Sequence, residues 1–181
     1  RESVTMRDIQ AYKPKNNSIC SGQVLFKDYP FDEALVVVKE MGDDIALQLS
    51  RKKKKAAGIT LGVGMAGRSG GGGRHMSYSF PSPTQNDLAF RDIAARLFVS
   101  MVGKDEYVRR FMISLSGIVD DNDPVQLDLF LDNEESKKRE SIQKAILSIK
   151  DTYGKNAILK GMDYEEGATQ RERNVQIGGH K

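Results

Sequence analysis

The sequence predicts an α+β domain: a four-stranded β-sheet with two helices on one face, in the order β-α-β-β-α-β, followed by a helical and irregular C-terminal tail. Three observations predict it. Leu35, Val38, Met41, Ile45 and Leu49 recur at helical spacing, and Phe90, Ile93, Ala94, Leu97 and Met101 do so again further on. Ile59, Leu61, Val63 and Met65 alternate with small residues, as do Met76, Tyr78 and Phe80, and Phe111, Ile113 and Leu115 share one face of a later stretch. Residues 67–74 (Gly-Arg-Ser-Gly-Gly-Gly-Gly-Arg) separate two of these stretches by a mobile loop, so they form a hairpin.

The elements follow in order. Residues 1–17 are polar, with Lys13-Pro14-Lys15-Asn16-Asn17 clustered, and read as a linker. Ser18 to Phe26 reads as the first strand, and Asp28-Tyr29-Pro30 as a turn whose proline starts a helix. Residues 31–53 are that helix, and Arg51 to Lys55 close it with positive charge at the negative end of its dipole. The hairpin strands come next, then a turn over Pro81 to Asn86, the second helix, and a last strand from Tyr107 to Ile118. Residues 18–119 form the domain and 120–133 an acidic segment. Ile142, Ala145, Ile146 and Ile149 mark a third helix over 134–152. Residues 154–181 are Gly-rich and charged and are expected to pack poorly on their own.

The chain has 181 residues, 39% of them hydrophobic, enough for one ordinary core. Its longest apolar run, Ala34 to Val38, is far below a membrane span, and no apolar stretch near the start reads as a secretory signal. A single cysteine, Cys20, excludes an internal disulfide framework and fits a reducing cytoplasm. Because residue 1 is Arg, the chain is expected to be a piece of something longer. Net charge is +3, unevenly spread: residues 1–118 carry 18 Lys and Arg against 12 Asp and Glu, whereas 119–133 carry five Asp and no base. That asymmetry fits a basic body for a polyanion and an acidic segment for a different partner.

The acidic segment holds Gln126-Leu127-Asp128-Leu129-Phe130. Leu127, Leu129 and Phe130 are large apolar groups in a segment too short and charged to bury them itself, and Gln126 offers an amide to orient the peptide. It resembles the Gln-Leu-Ser/Asp-Leu-Phe peptide by which bacterial polymerases and repair proteins dock on the ring-shaped sliding clamp. The spacing of Leu127 and Leu129 also fits the end of a half-buried strand.

Taken with the element order, the pieces Asn17-Ser18-Ile19-Cys20-Ser21-Gly22-Gln23, Arg74 to Pro83, and Tyr107 to Ser116 resemble the little-finger domain of a Y-family (UmuC/DinB-like) translesion DNA polymerase. Ser141 to Ile146, Tyr153-Gly154-Lys155 and Asn174 to Lys181 are similar to the tail of its Gram-positive UmuC-like branch. The resemblance covers roughly residues 17–181. It implies primer-template DNA and the sliding clamp as partners, with recombinase or accessory subunits as further ones. It implies DNA contacts at Gln23, Lys27, Arg68, Arg74, His75, Ser77, Ser79, Arg109 and Arg110, and clamp contacts at residues 126–130.

No catalytic residue is expected here. Nucleotidyl transfer needs two metal ions held by carboxylates, and the acids of 1–118 fall on helix faces or in turns. The chain itself is therefore expected to be non-catalytic and free of cofactors, with magnesium required only by a palm domain upstream, in a parent DNA-directed DNA polymerase. Gly70–Gly73 lacks the Lys-Ser/Thr and helix start of a phosphate loop. His75 and His180 lack companions at metal-ligand spacing. On a strand, Arg109 and Arg110 point to opposite faces, so one lies over the open sheet and the other along the helix side. Arg51 to Lys55 read as a field that steers DNA. The competing readings are a stand-alone nucleic-acid-binding or protein-interaction module and a small enzyme; the second lacks a convergent nucleophile, base or metal cluster.

Overall fold

Helix α1, Phe31–Arg51, begins where Pro30 fixes an extended backbone, carries Asp32 and Glu33 in its first turn and Arg51 in its last, and so complements its own dipole at both ends. Helix α2, Asp87–Met101, is started by Asn86, whose side chain accepts from the backbone N–H groups of Leu88 and Ala89. The computed structural model describes residues 5–7, 18–67, 72–121 and 133–176, with side chains of the last stretch from 138 onward. Strands β1 (Ile19–Tyr29), β2 (Lys54–Met65), β3 (Gly73–Thr84) and β4 (Val108–Asp120) form an antiparallel sheet in the order β1-β4-β2-β3.

Register decides the faces. Ile59, Leu61 and Val63 of β2 lie opposite Leu115, Ile113 and Phe111 of β4. These six are buried and meet Phe90, Phe98, Met41, Ile45 and Leu49 of the two helices in one core. Both helices thus cover the same side of the sheet, as expected for this α+β class.

Gly42 sets how closely α1 and α2 approach: a Cβ there would stand 2.9 Å from the Arg91 backbone Cα. Gly42→Ala is expected to push the helices apart and cost about 1–3 kcal/mol, as overpacking does, read by denaturant unfolding. An unchanged midpoint would refute this.

Several boundaries differ from the sequence reading. β1 runs to Tyr29, through the expected turn, and β3 continues through Pro81 and Pro83 to Thr84. β3 is an edge strand, and both prolines fall in the irregular stretch between its Ala56–Thr84 and Gly58–Ser79 pairs, outside the regular ladder. Lys54 and Lys55 do not extend the helix end. They open β2, where Lys54 pairs with Asp120 at 2.6 Å and Lys55 with Asp121 at 3.0 Å, while Arg51 pairs with Asp151. The expected steering cluster is thus largely neutralised by acids.

The largest correction concerns the tail. Residues 154–181 are expected from sequence to pack poorly on their own; their described part, 154–176, docks on α1. Helix α3, Asn133–Tyr153, lies along α1 and is fixed by buried Gln143, whose amide donates to the Gln85 carbonyl. Beyond it, a short 3₁₀ turn (Gly161–Tyr164) and α4 (Gln170–Val175) are held by buried polar bonds rather than by apolar periodicity. The Glu40 carboxylate, 1% exposed, accepts from the Thr169 N–H, the Thr169 hydroxyl and the Gln170 N–H at 2.9–3.1 Å. Burial pushes the Glu40 carboxyl up, against the pull of those bonds. Lys160 Nζ reaches 2.8 Å from both Asp43 and Asp87. Burial also raises Asp87, but the Lys160 bond and charge outweigh it and leave the carboxyl below its usual range.

Burial lifts the Asp43 carboxyl from 3.8 to about 6, although Lys160 and Arg91 pull it down. The native state then holds this proton more tightly than the unfolded chain does. The stability Asp43 contributes is full below about pH 4 and is lost as pH rises through 6, amounting to at most about 3 kcal/mol for roughly two units. Asp43→Asn is expected to unfold at a higher midpoint than wild type at pH 7.5, with the gap narrowing toward pH 4. A gap that widens toward acid would overturn this.

Candidate nucleic-acid interface

The side of the sheet away from the helices carries small residues in cross-strand rows. Gly58, Thr60, Gly62 and Gly64 of β2 lie opposite Ser116, Ser114, Met112 and Arg110 of β4, and opposite Ser79, Ser77, His75 and Gly73 of β3. Cys20, Gly22 and Val24 of β1 extend the rows beyond β4. Thr60 and Ser77 hydroxyls hydrogen-bond at 2.8 Å, and Cys20 Sγ lies 3.1 Å from Ser114 Oγ. The result is a broad face lined by hydroxyls and bare backbone, with Arg110 and His75 toward one end and exposed Val24, Phe26 and Met112 beside them. A Cβ at Gly64 would overlap the Arg110 side chain, so this glycine lets the arginine lie across the sheet.

The predicted contacts divide between the faces. His75, Ser77, Ser79 and Arg110 stand together on the open face. Arg74, opposite Val63, points to the helix side, where it pairs with Glu106 through two 2.6 Å bonds and donates to the Met101 carbonyl. That guanidinium, helped by the Gly103 N–H, holds Glu106 down to about 2. Gln23, opposite Phe111, also faces the helices and donates to the Thr169 hydroxyl at 2.9 Å. Period-two alternation gives both orientations. Lys27 pairs with Glu33 at 3.1 Å and lies over the Tyr29 ring. Arg109 turns to β1, donating to the Phe26 carbonyl at 3.2 Å and standing 3.5 Å from Asp28. The two neighbouring arginines therefore diverge, as strand geometry requires.

Arg68 and Gln126, Leu127, Asp128, Leu129 and Phe130 lie outside the described residues. Cys20, Thr60, Met112, Ser114 and Ser116 share the open face and are not among the contacts expected from sequence. The signal was there, in the small residues between the apolar ones of β2 and β4. Among the described residues, no group of three His, Cys, Asp or Glu is placed to hold a metal ion, and no helix is long and apolar enough to cross a membrane.

Residues 16–129 match the impB/mucB/samB family C-terminal domain. The chain belongs to that family. It is the C-terminal domain of a Y-family polymerase, as the resemblance implied. It is 31% identical over 166 residues to UvrX of Bacillus subtilis (strain 168), whose name assigns it to UV-damage repair; the match covers 91% of this chain. The chain spans 39% of that relative's length. Among solved structures, it is similar to the little finger domain of PolIV in complex with the beta-clamp processivity factor, at 13% identity and a TM-score of 0.44, over 64% of this chain and 100% of that one. It is also similar to a Dbh–Dpo4 Y-family polymerase chimera, at 17% identity and a TM-score of 0.45, over 59% of this chain and 30% of that one.

Proposed function

We propose that this domain grips primer-template DNA across the open sheet face and tethers an error-prone translesion polymerase to the sliding clamp through residues 126–130, in DNA-damage tolerance. The observation that carries the DNA part is the face itself. Its rows of glycine, serine and threonine let a phosphate backbone approach closely, and they offer hydroxyl donors with Arg110 at one end. Hydroxyls, amides and arginine on phosphates position a duplex without reading its sequence, which suits a damaged template. The clamp part rests on the pentapeptide and on the charge change into the acidic segment. A tether of this kind raises local concentration, so a weak peptide suffices. Nucleotide transfer, with its magnesium ions, belongs to the upstream part of the parent enzyme.

Fluorescence anisotropy on a labelled primer-template tests the DNA part. Affinity is expected to fall steeply with salt, by a slope of about −0.9 per neutralised phosphate, and to vary little with sequence. Arg110→Ala is expected to flatten the slope by about one unit. Arg109→Ala is expected to do less, because its guanidinium is already engaged by Phe26 and Asp28. Salt-independent binding would count against a phosphate grip on this face.

A further inference from the structure

Behind the helices, and independent of the DNA-binding reading, a half-enclosed cavity of about 140 Å³ lies between α1, α3 and the docked tail. Its walls are partly apolar, from Leu47, Ile146, Ile158 and Leu159, and partly acidic, from Asp43 and Asp87. These two carboxylates are only 7% and 5% exposed. Lys160 Nζ stands 2.8 Å from one oxygen of each, and Lys150, whose Nζ donates to the Lys155 carbonyl, also lines the cavity, so the chain already places ammonium groups there. The other oxygen of each, Oδ1, is buried without a hydrogen-bond partner among the described residues; Asp87 Oδ1 has only Arg139 at 3.9 Å. A buried carboxylate oxygen left without a donor is costly, and a cation that reached it would remove the cost.

We infer that this cavity is a binding site for an alkylated cation, an ammonium or guanidinium group on an apolar stem, with the charge at Asp43 Oδ1 and the stem against Leu47, Ile146, Ile158 and Leu159. The apolar walls select a stemmed cation over a bare ion, and the absence of a metal-type cluster among the described residues agrees. The same chemistry is offered by a free alkylamine and by a lysine or arginine side chain of a partner protein.

The 181-residue chain is titrated with n-butylammonium, with n-butylguanidinium, and with short peptides carrying one central lysine or arginine, followed by calorimetry and by methyl NMR of Ile146, Ile158 and Leu159. Saturable binding with shifts confined to these methyls is expected. Asp43→Asn is expected to weaken it roughly tenfold or more, as loss of a charge-assisted bond does. Lys104→Gln, on the surface away from the cavity, is expected to leave it unchanged. Equal affinity for free cations and peptides assigns the site to a small molecule, and a clear preference for peptides assigns it to a partner's side chain. No binding at tens of millimolar cation, or an undiminished affinity in a folded Asp43→Asn variant, would overturn the inference.

Discussion

Glu40→Ala is expected to release residues 154–176 from α1 and to lower stability by roughly 2–4 kcal/mol, the scale of several lost hydrogen bonds to one charged acceptor. The carboxylate is 1% exposed and satisfies three donors from Thr169 and Gln170 at once. Removing it strands those donors beside a new cavity. The loss is bounded above, because the tail can leave and rehydrate them, and it is reduced by the burial penalty that raises the Glu40 carboxyl. Denaturant unfolding should therefore show a lower midpoint, and limited trypsin digestion should cut at Lys155, Lys160 or Arg171 well before it cuts the sheet. Glu40→Gln is expected to recover only part of the loss, since its amide NH₂ would face an N–H donor. If Glu40→Ala melts like wild type with a protected tail, then Lys160 and its ion pairs hold the tail instead.

The tail also shows why sequence reading worked for the sheet and failed here. The core of β2 and β4 announces itself through period-two apolar residues, Ile59-Leu61-Val63 and Phe111-Ile113-Leu115, and the helices through their own spacing. Those patterns encode burial by many equivalent contacts. The tail is bound by a few pairs far apart in sequence, such as Glu40 with Thr169 and Lys160 with Asp87. A buried glutamate reads as a solvated one in a string of letters, because only the partner distinguishes them. The open face was legible in its polar residues but not in its glycines, whose meaning depends on register: Gly64 matters because it lies opposite Arg110. Arg74 shows the converse, a basic residue assigned by composition to the open face and placed by alternation against Glu106. Ends of strands were misjudged where proline reads as a stop, although an edge strand tolerates it.

Replacing Leu129 and Phe130 together by Ala is expected to weaken clamp binding by about 2 kcal/mol or more, roughly thirtyfold, because a few anchors carry most of a short peptide's affinity. Stability is expected to change little, for β4 has already ended at Asp120 and the adjoining chain is tied down before the peptide begins. Asp121 accepts from Gln85 at 3.0 Å and pairs with Lys55, and its N–H donates to the Lys53 carbonyl. Among the described residues, the apolar core cluster and the side chains packed against it run no further along the chain than Ile118. Surface plasmon resonance against the cognate ring and thermal unfolding of the same double variant separate the two readings of these residues. A variant that melts like wild type and no longer binds the ring is the expected result. A loss of several kcal/mol in stability, with no measurable affinity of the wild type for the ring, would make Gln126 to Phe130 a structural strand and leave the tether without a basis.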